Sequence, residues 1–126
     1  MAETRERILL VEDERTIRDL LANVLWAEGY AVDAVATVAE AMVCLDRRRY
    51  ALVIADWRLP DGDGLRLADG AAAAGIRTLV MSGYLFQMSR GLADRHETLM
   101  KPVRPSELAA AVDQVLQKPI AAAPLA

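Results

Sequence analysis

The chain has one cysteine, Cys44, and one histidine, His96, in 126 residues. A single thiol cannot close an intramolecular disulfide, and so few Cys and His residues leave no zinc cluster to build. Cys44 stands among Ala41, Met42, Val43 and Leu45 and reads as a small buried hydrophobe. His96 has no second His or Cys nearby and reads as a surface residue, neither metal ligand nor phosphodonor. An excess of positive charge is also missing: the formal net charge of -3 argues against a dedicated nucleic-acid binder. Arg47-Arg48-Arg49 is the only dense basic cluster, and it reads as the solvated end of a helix. No apolar run approaches the ~20 residues that span a bilayer, and Met1 to Arg7 has no signal-peptide core, so no membrane partner and a cytoplasmic location are expected. The length suits one domain, expected over residues 7–117, with a short tail at 1–6 and a loose Pro/Ala-rich tail at 118–126.

What is present is an alternation of two patterns. Ile8 to Val11, Ala51 to Ala55 and Thr78 to Met81 are short apolar runs ended sharply by polar residues. Such runs read as strands buried on both faces of a parallel sheet. Tyr30 to Val35 and Glu97 to Met100 are weaker strand candidates. Between them Thr16 to Glu28 carries Ile17, Leu20, Leu21, Val24 and Leu25 on one helical stripe, with Gly29 at the C-cap position. Trp26 is expected in the core or packed on that helix face. Val38 to Arg48 repeats the pattern with Val38, Ala41, Met42 and Leu45, and Leu65 to Ala74 stops at Gly75. Pro105 to Gln117 opens with proline near the first turn. Ser82 to Arg95, broken by Gly83, Ser89 and Gly91, predicts a short or irregular fourth helix. The order implies a doubly wound α/β fold, a five-stranded parallel sheet with helices on both faces.

Ligands of open α/β sheets bind at the carboxyl ends of the strands, near the reversal of strand order. The polar residues that directly follow the apolar runs are Glu12-Asp13, Asp56, Ser82 and Lys101-Pro102. Clustered carboxylates repel one another unless a cation joins them, and Mg²⁺ with retained waters suits an all-oxygen set. A strand-end carboxylate beside such an ion can act as a nucleophile toward a phosphoryl group. Lys101 then offers a point positive charge and Ser82 a hydroxyl donor.

The runs Ile8 to Glu14, Ile54 to Pro60, Asp61 to Gly64, Val80 to Gly83 and Met100 to Val103 resemble, in order and spacing, the receiver domains of response regulators. The resemblance covers roughly Arg7 to Leu116 and implies a CheY-like sheet of strand order 2-1-3-4-5. It implies that Asp56 is phosphorylated by a histidine kinase or phosphotransfer protein. Mg²⁺ would be held by Asp13, Asp56 and the backbone carbonyl of Arg58, with Glu12 acting through a bound water. Ser82 would turn toward the phosphoryl group and Lys101 would pair with it. The Lys101-Pro102 bond would be cis, and Pro60 and Gly64 would shape the loop beneath Asp56. Arg58 and Tyr84 fall where such domains tune phosphoryl lifetime, and both are bulky, which predicts a long-lived state. Output would pass by contact with a downstream protein target. A starting Met and a loose tail favour a stand-alone regulator without catalytic turnover.

Three other readings compete with this one. Asp61-Gly62-Asp63-Gly64 looks like the start of a calcium loop, but Ala72 stands where the closing Glu belongs. A phosphohydrolase with a nucleophilic Asp would carry a second acid two positions on, where this chain has Arg58. A pseudo-receiver that never takes phosphate is disfavoured by the complete set Glu12, Asp13, Asp56, Ser82 and Lys101. Two departures from the receiver pattern bear on output. Thr98 stands where an aromatic switch residue is usual, and the interval from Ser82 to Lys101 is short. Tyr84 is the candidate replacement for the aromatic element, and Trp57 is expected exposed beside the site.

Overall fold

The computed structural model describes residues 6–83 and 96–117. Five parallel strands form the main sheet: β1 (Arg7–Val11), β2 (Ala31–Val35), β3 (Leu52–Asp56), β6 (Arg77–Ser82) and β7 (Glu97–Met100). Their order is β2-β1-β3-β6-β7. Taken as the five strands of the sheet in sequence, this is the expected 2-1-3-4-5 arrangement, and strand order reverses between β1 and β3. The helices are α1 (Arg15–Ala27), α2 (Val38–Arg47), α3 (Gly64–Ala73) and α4 (Pro105–Gln117). Observed ends differ from the sequence reading by about a residue, because caps and apolar stripes locate an element better than they locate its last hydrogen bond.

Alternation along the central strands builds two cores. Ile8, Leu10, Ile54 and Met81 face Leu21 and Leu25 of α1 and Leu108 and Val112 of α4. Leu9, Val11, Val53 and Ala55 face Ala41 of α2 and Leu67 and Ala71 of α3. Strands buried on both sides need no polar face, which is why these segments read as unbroken apolar runs. Each fully buried Leu or Ile contributes about 1.5–3 kcal/mol relative to exposure.

Three side chains assigned to buried stripes are instead on the surface: Leu20, Trp26 and Met42 are each about half exposed. Helix α1 buries Leu21 and Leu25, one i, i+4 row, with Ile17 and Val24 at its margin. Leu20 and Trp26 fall outside that row, and Met42 lies about 100° around α2 from the buried Ala41. Cys44 is half-buried rather than buried. Gly29 and Gly75 close their helices at φ 98° and 84°, a conformation that favours glycine.

A two-stranded antiparallel hairpin, β4 (Arg58–Leu59) with β5 (Gly62–Asp63), follows β3 and was not visible as a periodic pattern. It explains the Asp61 to Gly64 run. Asp61 accepts the backbone N–H groups of Val38 (2.8 Å) and Ala39 (3.0 Å) at the start of α2. Asp63 accepts that of Leu65 (2.8 Å) at the start of α3. At the same helix start Thr37 Oγ1 accepts the Glu40 N–H, and Glu40 Oε1 accepts the Ala36 N–H, both at 3.1 Å. Both carboxylates thus serve helix N-termini, which removes the calcium-loop reading.

The fourth helix expected at 82–95 lies outside the described residues, apart from Ser82 and Gly83. So do Tyr84, residues 1–5 of the N-terminal tail and the tail at 118–126. No described helix is long and apolar enough to cross a membrane.

Candidate functional site

The carboxyl ends of β1, β3, β6 and β7 place the expected residues in one cleft. Glu12 follows β1, Asp56 ends β3, Ser82 ends β6 and Lys101 follows β7. Lys101 joins the set: its Nζ donates to Glu12 Oε1 at 2.7 Å and to Asp56 Oδ2 at 2.9 Å. The two acceptors are 89 and 45 residues from it in sequence, so only the closed fold creates this contact. Glu12 is fully buried, Asp56 and Ser82 nearly so, while Asp13 is exposed at the rim. Carboxylate oxygens of Glu12, Asp13 and Asp56 lie within 4.8 Å of one another.

The electrostatics follow from burial and from this one ammonium. Burial raises the carboxyl of Glu12 above its ordinary value, with the negative charge of Asp56 adding to the effect. Hydrogen bonds from Lys101 and from the Glu14 backbone N–H oppose it without cancelling it. Burial alone would lower Lys101, but bonds to Glu12 and Asp56 outweigh it and hold the ammonium above its ordinary value. Three carboxylates against one ammonium leave a negative surplus in a partly desolvated cleft. An oxygen-only donor set with that surplus fits a hard divalent cation such as Mg²⁺.

Backbone contacts hold these groups in place. Lys101 N–H donates to the Ser82 carbonyl at 3.0 Å and the Lys101-Pro102 bond is cis, as the resemblance implies. Trp57 N–H donates to the Met81 carbonyl at 2.8 Å, pinning the residue after Asp56 to β6. Gly64 N–H donates to the Trp57 carbonyl at 2.8 Å, and a Cβ on Gly64 would overlap the Asp56 carbonyl oxygen. Gly64 is therefore required for close approach beneath Asp56. Pro60 is exposed in the β4–β5 turn. Arg58 lies over the Trp57 ring, 5.2 Å from its centroid. Both line a cleft of about 330 Å³ with Asp56, Ser82, Gly83 and Lys101. Thr98 is half-buried in β7, opposite Val80.

Two residues were missed or misplaced by the sequence reading. Arg18 of α1 donates to the backbone carbonyls of Glu12 (3.0 Å) and Asp13 (3.3 Å), holding the loop that presents both carboxylates. Its exposed-helix context gave no sign of this. His96 is buried, not on the surface. Its Nδ1 lies 2.6 Å from Thr78 Oγ1 and its Nε2 2.7 Å from Asp69 Oδ1. Partners 18 and 27 residues away satisfy both ring nitrogens, and spacing alone could not show that.

Comparison with known proteins agrees with this geometry. Residues 8–113 match the family model for the response regulator receiver domain. The chain is 32% identical over 117 residues to the regulatory protein VanR of Enterococcus faecium, covering 90% of this chain and 51% of that protein. It is 33% identical over 119 residues to the phosphate regulon transcriptional regulatory protein PhoB of Rhizobium meliloti, covering 89% and 52%. The chain thus spans about half the length of these curated relatives. Among solved structures, a CheY-like receiver domain protein from Methanospirillum hungatei has a TM-score of 0.79 at 28% identity, over 90% of this chain and 94% of that one. Response regulator TrrA from Thermotoga maritima, in complex with Mg²⁺-BeF, has a TM-score of 0.78 at 29% identity, over 87% and 98%. A match over most of the chain, on a fold whose strand ends assemble the acidic cleft and its lysine, shows that this chain belongs to the receiver-domain family of two-component response regulators.

Proposed function

We propose that Asp56 accepts a phosphoryl group from a histidine kinase or phosphotransfer protein, and that the phosphorylated form signals by contact with a downstream protein. The observation that carries this reading is the bridge from Lys101 Nζ to both Glu12 Oε1 and Asp56 Oδ2. A lysine fixed at the nucleophile's own oxygen holds the carboxylate's rotation and meets the charge that arrives there. An Asp56 carboxylate oxygen attacks phosphorus of the donor phosphohistidine. The O–P bond forms, the P–N bond breaks, and its electron pair leaves on the imidazole, which takes up a proton. Asp13, Asp56, the Arg58 backbone carbonyl and, through water, Glu12 would hold Mg²⁺. When bound, the ion offsets the charge of the phosphoryl oxygens. Ser82, buried at the cleft wall, supplies a hydroxyl donor to the product.

The acyl phosphate carries up to about two negative charges in place of the single charge of the Asp56 carboxylate, so transfer adds about one more to a cleft already in negative surplus. That charge biases the segment between Ser82 and Lys101, the output element in this reading. Thr98 leaves β7 without the usual aromatic switch, and Tyr84 is the proposed substitute. Turnover of small phosphoesters is not proposed, because Arg58 stands where the general acid would be. The net charge of -3 also gives no support for nucleic-acid contact by this chain.

The test is intact mass after incubation with acetyl phosphate and Mg²⁺, comparing the wild type with Asp56→Asn. An adduct on the wild type alone supports the reading. Turnover of many phosphates would favour a hydrolase, and no adduct on either protein would favour a pseudo-receiver.

A further inference from the structure

Phosphoryl chemistry leaves Arg47-Arg48-Arg49 and the outer edge of β2 unused. Among the described residues β2 is the last strand of the sheet on its side and pairs with β1 alone. Ala31 N–H donates to the Glu6 carbonyl, and the Val35 carbonyl accepts Glu12 N–H, both at 3.0 Å. In a parallel ladder alternate residues turn their backbone groups to the same side. Residues 31, 33 and 35 therefore address β1, and Val32 and Ala34 turn N–H and C=O outward. Ala34 is exposed and Val32 half-buried.

A recess of about 420 Å³ runs along this edge, walled by Val43, Cys44 and Arg47 at the end of α2 and by Arg48 and Tyr50 beyond it. Val43 is about half exposed and gives that wall an apolar surface. Among the described residues Asp33 is the one carboxylate that lines the recess. Asp33 is already shared by Arg7 Nη1 (3.2 Å), Tyr50 Oη (2.7 Å) and, more distantly, Arg48 Nε (3.8 Å). No described carboxylate pairs with Arg47 or Arg49, and both are exposed. The edge thus combines ladder groups turned away from β1, an apolar wall and the positive charge of Arg47, on a chain whose net charge is negative.

We propose that the outer edge of β2 receives an extended acidic segment of a partner protein as an added strand. Val32 and Ala34 supply the ladder hydrogen bonds, Val43 contacts an apolar side chain, and Arg47, with Arg48 beside it, pairs with carboxylates. Backbone pairing provides affinity and the arginines choose the sequence, as in other strand-addition modes. A second copy of this chain is the weaker occupant, since edge-to-edge pairing would bring two arginine clusters together.

The experiment uses the full chain, isotopically labelled, and a synthetic hexapeptide of alternating Glu and Val. Binding slows hydrogen exchange at the Val32 and Ala34 amides, moves their resonances and weakens with added salt. Arg47→Ala, at an exposed position that carries no described ion pair, weakens it about tenfold. The proposal is overturned if resonance changes map to another surface, or if a Lys-Val peptide binds equally. Equal binding by a peptide N-methylated at alternate residues overturns it too, since charge alone would then suffice. Protection of Val32 and Ala34 in a peptide-free dimer would assign the edge to self-association instead.

Discussion

Removing the ammonium of Lys101 should destabilise the metal-free protein, and the loss should depend on pH. Lys101→Met keeps the stem of the side chain but leaves fully buried Glu12 without its 2.7 Å partner and nearly buried Asp56 without its 2.9 Å partner. Breaking a buried pair by deleting one member costs about 3–5 kcal/mol when the remaining charge cannot relax. Here the Lys101 side chain is 22% exposed and Glu12 can take up a proton, so the lower end, about 3 kcal/mol at pH 7, is expected. For a domain of this size that is a fall of about 10 °C in Tm. The sign of the pH dependence follows from Glu12, whose carboxyl is raised even with Lys101 present. A raised carboxyl means that the folded state holds the proton more tightly than the unfolded chain, so stability falls as pH rises above the ordinary value of 4.5. Without the lysine this window widens, and the gap between variant and wild type should shrink as pH drops from 7 toward 5. Added Mg²⁺ should raise the Tm of the variant more than that of the wild type. Thermal unfolding followed by circular dichroism at both pH values, with and without Mg²⁺, reads all three effects. A Tm at pH 7 equal to that of the wild type would refute the electrostatic reasoning.

Three further outcomes are expected. His96→Ala removes a buried ring and strands Thr78 Oγ1, and should cost about 2–4 kcal/mol in urea unfolding; an unchanged midpoint would show that the Asp69–His96–Thr78 contacts carry no stability. The Asp61 carboxyl is held below its ordinary 3.8 by the Ala39 and Val38 N–H groups, so its contribution is present above that value and lost as pH falls through the lowered one. Asp61→Asn should therefore lie below the wild type in Tm at neutral pH and converge with it in acid, and a constant offset across pH would contradict the capping role. Arg58, over the Trp57 ring at the mouth of the cleft, should slow water attack on phosphorylated Asp56; equal loss of label from wild type and Arg58→Ala would exclude that.

Features encoded locally were legible in the sequence, and features created by closure were not. Ile8 to Val11 and Leu52 to Asp56 announce themselves as strands because both faces are buried and no polar side chain intervenes. Glu12, Asp56 and Lys101 were found because a parallel sheet brings its strand ends together whatever their separation in sequence. Exposed Trp26 and Leu20 were misplaced because a stripe of apolar residues does not say which of its rows meets the sheet. His96 was misread because its two partners come from β6 and α3, and Arg18 because its acceptors are backbone carbonyls that carry no residue identity. The β4–β5 hairpin is two residues a side, too short to display a period.

The central claim is that Asp56, and no other carboxylate in the cleft, takes the phosphoryl group. Borohydride trapping tests this directly, since it reduces an aspartyl phosphate to homoserine and leaves free carboxylates intact. After incubation with acetyl phosphate and Mg²⁺, reduction and peptide mass mapping should place homoserine at position 56 alone. Homoserine at position 13, or reduction at no aspartate under conditions that phosphorylate another receiver, would contradict the account.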